Sequence, residues 1–207
     1  MLQSILLHAA RRGCYPRRAP MRDRSFQTLS SKRLLMRRFE TGDAPELASY
    51  RSDPEVARYQ GWESCTLGEA QSLIRALARR DPGSPGAWFQ FAVALASDGV
   101  LIGDCALRCG RATPRVAELG FSFGRAHQGR GYAGEAVALL LDYAFDRLGL
   151  HRIFAITDDR NLPAQALLAR LGLRKEGVFR EASWFKGGWA TELGYAVLAS
   201  EWRAGGA

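Results

Sequence analysis

Residues 88–123 alternate apolar and polar side chains, and that alternation constrains the chain more than any other feature. Phe89, Phe91, Val93 and Leu95 point one way, the pattern of a half-buried strand. Asp98-Gly99 is a hairpin signal, and "VLIGDCALR" (100–108) returns as a second arm. "RVAELGFSF" (115–123) predicts a third strand, with Leu119, Phe121 and Phe123 on one face. Ala133, Val137, Leu140, Leu141, Ala144 and Leu148 then change the period to 3.6, and Gly149 ends that helix. An antiparallel meander that runs through a glycine-rich loop into an amphipathic helix excludes a helical bundle and argues against an all-parallel sheet.

The flanking segments fill out an α+β chain. "RLLMRRF" (33–39) predicts a first strand, and Asp43 and Asp53-Pro54 predict two short helices. Thr66–Arg80 has helical spacing through Leu67, Ala70, Leu73, Ile74 and Leu77, and "DPGSPG" ends it. "HRIFAIT" (151–157) reads as a strand. Asn161 and Pro163 open a further helix that runs to Gly172. "LRKEGVFREA" and "TELGYAVLA" read as two strands around a Gly187-Gly188 turn.

With 207 residues, one domain is expected. The net charge of +8 raises the question of a nucleic-acid partner. Residues 1–26, however, carry six arginines against one aspartate, a net +5, which leaves +3 for the rest. Nucleic-acid binding is therefore not the expected role. The front segment follows its short apolar stretch with arginines, the reverse of a secretory signal. We read residues 1–26 as an Arg-rich, disordered N-terminal extension and 27–207 as a single domain. A transit peptide and a true start at Met21 are the alternatives. No apolar run is long enough for a membrane helix. Cys14, Cys65, Cys105 and Cys109 are scattered without zinc-ligand spacing. Free thiols in a reducing compartment, no metal and a cytoplasmic location are expected.

"HQGRGYAGEA" (127–136) has the composition of an anion-binding loop. Consecutive N–H groups in a glycine-rich turn form a concave donor surface, and the following helix adds the positive end of its dipole. Arg125 and Arg130 add charge nearby. The letters admit two readings. Gly129, Gly131 and Gly134 spell G-x-G-x-x-G, the dinucleotide fingerprint, and Asp158-Asp159 lie near the place of its ribose-binding acid. Gln128, Gly131 and Ala133 spell Q-x-x-G-x-A, the pyrophosphate loop of acyl-CoA-dependent acetyltransferases. Against the first, "GRAHQ" separates the strand from the loop, and only about 70 residues follow, too few for two βαβαβ halves. A turn without a ligand is the plainer alternative.

Several further segments, in order, resemble the GNAT superfamily of N-acetyltransferases, in particular the branch that includes ribosomal-protein alanine acetyltransferases. They are "SSKRLLMRRFETGDAPEL", "SDPEVARY", "AELGFSFGRAHQGRGYAGEA", "NLPAQALLARLGLRKEG" and "WFKGGWATELGYAVLASEW". The resemblance covers about residues 28–203. It implies a mixed, splayed, mostly antiparallel seven-stranded sheet flanked by about four helices, with acetyl-CoA wedged where two central strands part. It implies that main-chain groups of Phe121, Ser122 and Phe123 pair with the pantetheine. It further implies that amides of Gln128, Gly129, Arg130, Gly131, Tyr132, Ala133 and Gly134 bind the pyrophosphate, and that Asn161 contacts the pantetheine arm. Asn161 also reads as a plain helix cap, and the two phenylalanines as core residues.

The implied activity is transfer of an acetyl group to a primary amine, a protein N-terminus or a small molecule, by direct attack on the thioester. Glu118 is the candidate general base, and a solvent-facing strand residue is its other reading. Where many members carry a tyrosine as general acid this chain has Leu168, and Ala164 replaces a frequent serine. Tyr195 and His127 are the substitutes to consider. Trp62, Trp184, Phe185 and Trp189 fall in segments that should border the acceptor groove, and Asp158, Asp159 and Glu181 are candidates for reading a cationic amine. A non-catalytic acyl-CoA-binding module and an NAD(P)-binding oxidoreductase are the competing functions. A monomer or a homodimer is expected.

Overall fold

A computed structural model describes residues 22–113 and 115–205. Residues 1–21, with most of the expected extension and Cys14, lie outside the described residues. Residues 22–26, which the sequence reading placed in that extension, are packed instead. Phe26 is buried, with its ring edge-on to Phe91 at 5.2 Å and to Phe89 at 6.0 Å. Asp23 accepts a hydrogen bond from the Tyr143 hydroxyl at 2.8 Å. Burial of one such phenylalanine is worth about 3–5 kcal/mol against alanine, so the domain's packing reaches back past residue 27.

Among the described residues, eight strands form one sheet in the order β1-β2-β3-β4-β5-β6-β8-β7. They are β1 (Thr28–Ser30), β2 (Leu34–Arg37), β3 (Trp88–Leu95), β4 (Leu101–Cys109), β5 (Val116–Phe123), β6 (Arg152–Asp158), β7 (Arg174–Phe185) and β8 (Gly188–Leu198). The meander β3–β5 is antiparallel, as the alternation predicts. The expected seven strands become eight because β1, only three residues long, pairs with β2. The closing hairpin turns through Lys186 and Gly187, one residue earlier than expected. Both have positive φ, +47° and +83°, which is the two-residue turn that matches strand twist.

The helices are α1 (Ala44–Arg51), α2 (Pro54–Ala57), α3 (Leu67–Ala78), α4 (Tyr132–Asp146), α5 (Leu162–Arg170) and a terminal α6 (Ala199–Gly205). Pro54 follows an Asp53 cap, and Thr66 and Glu69 form a capping box. The apolar stripe of α4 (Val137, Leu140, Leu141, Ala144) packs with Leu119, Phe123, Ile153 and Leu193 in the main core on one face of the sheet. Helices α1 and α3 bury a second cluster, with Leu47, Ile74 and Leu77 packed together with Ala92 and Leu101 of the sheet. Among the described residues, no helix is long and apolar enough to cross a membrane.

Among the described strands, one pairing is parallel. β5 and β6 are in register over only Val116↔Arg152, Ala117↔Ile153 and Glu118↔Phe154. Beyond Glu118 the two strands part, although each stays paired on its far side, β5 to β4 and β6 to β8.

Candidate active site

The parted strands leave two facing edges with unfilled main-chain groups. Gly124 N–H donates to Ile102 O at 2.9 Å. Antiparallel alternation therefore turns the main-chain groups of Ser122 and Gly120 toward β4, and those of Leu119, Phe121 and Phe123 into the opening. Side chains confirm the direction: Gln60 Nε2 donates to Phe121 O at 3.4 Å and Gln128 Nε2 to Phe123 O at 2.9 Å. This corrects the expectation for Ser122, whose main chain is spent on the sheet. The N–H groups of Phe121 and Phe123 turn toward the opening. On the facing edge, Asp159 N–H bonds Thr191 O at 3.0 Å, so the same alternation leaves Ile156 free toward the opening.

The glycine loop stands at the end of β5. A 3₁₀ turn, Arg125–His127, leads into it, and Gly131 caps α4 at φ +79°. Gly129 is also left-handed, at φ +73°. Both positions favour glycine because a β-carbon there meets the chain's own carbonyl. The first helical hydrogen bond in α4 is Glu135 N–H to Gly131 O at 3.1 Å. Among the described residues, the N–H groups of Gly129, Arg130, Gly131, Tyr132, Ala133 and Gly134 find no acceptor. Six successive free donors lie at the positive end of a 15-residue helix, where the helix dipole favours negative charge. Gln128 belongs to the loop in another way. Its N–H is taken by Arg125 O at 3.2 Å and its side chain pins Phe123 O, so it shapes the loop rather than donating to an anion.

The β1–β2 turn holds this loop from outside, which the sequence did not announce. Glu135, in the first turn of α4, accepts from Ser31 Oγ at 2.7 Å, Arg33 N–H at 3.0 Å and Arg33 Nε at 2.6 Å. Burial alone would raise the Glu135 carboxyl pKa, but the Ser31 and Arg33 bonds outweigh it and hold the group below its ordinary value. Arg33 also reaches Arg130 O at 3.0 Å and lies 4.6 Å from the Tyr132 ring centre. The acid in the first turn of α4 is thus neutralised by an arginine on the adjoining turn.

Below the loop, the opening widens to a cavity of about 180 Å³ lined by Gly120, Phe121, Ile156, Asn161, Leu168 and Glu192, among others. Asn161 Oδ1 accepts from Ala164 N–H at 3.2 Å, so its carbonyl caps α5 while the residue still faces the cavity. Leu168 lines the wall as a buried hydrocarbon, and Tyr195 is buried in the main core. His127 sits on the loop, with a buried Nδ1 that has no partner among the described residues. Glu118 is held in an ion pair with Arg108, which in turn lies 5.0 Å from the Trp88 ring centre. Glu118 does not line the cavity.

Of the aromatic residues expected at the acceptor groove, Phe185 lines it. Trp62 instead packs on the Arg51 guanidinium at 4.3 Å, and Trp184 and Trp189 form an exposed edge-to-face pair at 5.6 Å. The hairpin tip that carries Phe185 is tied across the groove by Lys186 Nζ, which donates to Ala57 O at 2.7 Å and Trp62 O at 2.8 Å. Asp158 lines the cavity but is bound by Arg160 Nε and Nη2 at 2.8 and 2.7 Å. Asp159 and Glu181 are exposed and lie outside it.

A sheet parted between two parallel strands, with a helix-capping anion loop beside the gap, defines the acyl-CoA N-acyltransferase fold. The topology also disposes of the dinucleotide reading: β5, α4 and β6 make one parallel unit, but β4 on its one side and β8 on its other are antiparallel, where a doubly wound sheet continues in parallel strands. The chain belongs to the acetyltransferase (GNAT) domain family, whose pattern matches residues 33–174, and it is an N-acetyltransferase. It is 33% identical over 177 residues to the uncharacterized N-acetyltransferase p20 of Bacillus licheniformis, covering 85% of this chain and 98% of that one. It is 33% identical over 87 residues to the [ribosomal protein uS5]-alanine N-acetyltransferase of Escherichia coli, covering 42% of this chain and 45% of that one. The crystal structure of a GNAT-family acetyltransferase from Bacillus anthracis superposes with a TM-score of 0.75 at 27% identity, covering 84% of this chain and all of that one.

Proposed function

We propose that the donor is acetyl-CoA and that the acceptor is a primary amine. The observation that carries this reading is the row of six free N–H groups from Gly129 to Gly134, set at the end of a strand edge that is itself unpaired. A diphosphate flanked by an amide-bearing arm has the chemistry to fill both. The loop would take the diphosphate, and Phe121 and Phe123 would pair with the arm as an added strand does. Asn161, whose side-chain oxygen is taken by the cap, would reach the arm with its amide nitrogen from the start of α5.

In this reading the thioester lies in the gap near Gly120 and Phe121. A free N–H of β5 then stabilises the carbonyl oxygen as charge develops on it. The amine nitrogen bonds to the carbonyl carbon and the carbon–sulfur bond breaks. The departing thiol has an ordinary acidity, with a pKa of about 8.5, and leaves without a strong acid. A hydrocarbon at Leu168 is compatible with that step. Glu118, engaged by Arg108, is not placed to take the proton directly.

The test is thiol release from acetyl-CoA across a panel of peptides, ribosomal-protein N-termini, aminoglycosides, small primary amines and polyamines. Acceptor-dependent thiol release with at least one primary amine is expected. Release that is no faster with any amine than with water contradicts the reading.

A further inference from the structure

Three carboxylates stand on the face of the sheet opposite α4, around the parted strands: Glu118 on β5, Asp158 on β6 and Glu192 on β8. The register places Asp158 directly across from Glu192, and residues opposite each other on paired strands share a face. Glu118 is held by Arg108 and Asp158 by Arg160. Glu192 differs. Among the described residues it has no cationic partner; its one polar contact is the Ser183 hydroxyl, which donates to Oε1 at 2.7 Å. Glu192 and Ser183 both line the cavity that contains Gly120 and Phe121, with Tyr59 and Phe185 also on its wall.

A half-buried carboxylate with spare acceptor sites, facing a partly apolar cavity, favours a cation over water as its partner. The neighbouring aspartate's charge is already satisfied, so the cavity presents one negative group rather than a polyanionic surface. The aromatic walls suit a short hydrocarbon or ring next to the charge. We infer that Glu192, oriented by Ser183, is the acceptor-binding residue, and that it selects small aliphatic primary amines that arrive as ammonium ions. This rests on the proposed acetyl transfer and names its substrate class.

The proton balance follows. The ammonium gives one proton to the Glu192 carboxylate, which passes it to solvent at the cavity mouth. The freed amine bonds to the carbonyl carbon, and its second proton leaves with the thiol as the carbon–sulfur bond breaks. The net products are the amide, the thiol and one proton. Ser183 acts through Glu192 and is a positioning residue.

Two isomeric probes separate this role from general damage: benzylamine, a cation at neutral pH, and 4-methylaniline, which is uncharged there. The wild type is expected to acetylate benzylamine with the higher kcat/KM. Glu192→Gln is expected to lower that value by about 100-fold or more, within the usual range for loss of an acid–base group. It should change 4-methylaniline turnover by less than about threefold and leave the KM for acetyl-CoA unchanged. Glu192→Asp should recover part of the benzylamine rate, and Ser183→Ala should lose less than Glu192→Gln. Equal losses for both amines, no loss for benzylamine, or a wild type that binds acetyl-CoA yet acetylates neither probe would each overturn the inference alone. A wild type whose melting temperature is unmoved by acetyl-CoA would overturn the underlying reading and this one with it.

Discussion

Gly131 carries two separate requirements at a single residue. Its φ of +79° excludes an ordinary side chain without about 1–2 kcal/mol of strain. Its position between free N–H groups excludes negative charge next to a bound diphosphate. A β-carbon built there would also stand 3.3 Å from the Arg33 guanidinium. Gly131→Asp is expected to weaken acetyl-CoA binding at least tenfold by titration calorimetry while the fold persists in circular dichroism; unchanged affinity would show that the loop does not hold the coenzyme. The loop residues were legible in the sequence because glycine has few other reasons to recur at that spacing before an amphipathic helix. The roles of Ser122 and Gln128 are not legible there, because sequence does not say which way a main-chain group turns; the bonds of Gly124 to Ile102 and of Gln128 to Arg125 do. Glu192 was passed over because nothing in "TELGYAVLA" marks it. Only the register with Asp158, and the two arginines that occupy the other carboxylates, single it out.

The element least visible in the sequence is the N-terminal edge. β1 has three residues and no room for alternation, and the arginine-rich composition just upstream suggests a loose segment. Yet Phe26 plugs the aromatic cluster and Asp23 is bonded to Tyr143 on α4. Burial alone would raise the Asp23 pKa; the Ser25 and Tyr143 hydrogen bonds outweigh it, so the group lies below its ordinary 3.8. A carboxylate whose pKa is lowered on folding stabilises the fold above its unfolded pKa. That contribution disappears as the pH falls through the lowered value. Tyr143→Phe is therefore expected to cost about 1 kcal/mol in urea unfolding at pH 7 and to converge on the wild type once the pH has fallen past the lowered Asp23 value and the carboxyl is protonated in both. A deficit that is the same at both pH values would place the loss in packing rather than in this bond. The long hairpin β7–β8 was legible as two strands and a glycine turn. Its tether through Lys186 to Ala57 and Trp62 was not, since it joins segments more than 120 residues apart.

At the scale of the whole molecule, one departure from sheet regularity creates the site. Seven of the eight described strands follow from periodicity and turn chemistry, and the family resemblance implies the splay. The length of the parallel contact, three residue pairs before β5 and β6 part, is a tertiary fact that no local pattern encodes. That gap separates the acetyl-CoA reading from the dinucleotide one. A nicotinamide dinucleotide shares the diphosphate but has no amide arm to pair with the free edge of β5.

Thermal unfolding of the wild type with each ligand decides whether the free N–H groups of the loop and the unpaired β5 edge together bind acetyl-CoA. At 100-fold over its dissociation constant acetyl-CoA should add about 2.7 kcal/mol of stability and raise Tm, while NAD at the same concentration should leave Tm unchanged. A Tm raised by NAD and unmoved by acetyl-CoA would contradict such binding.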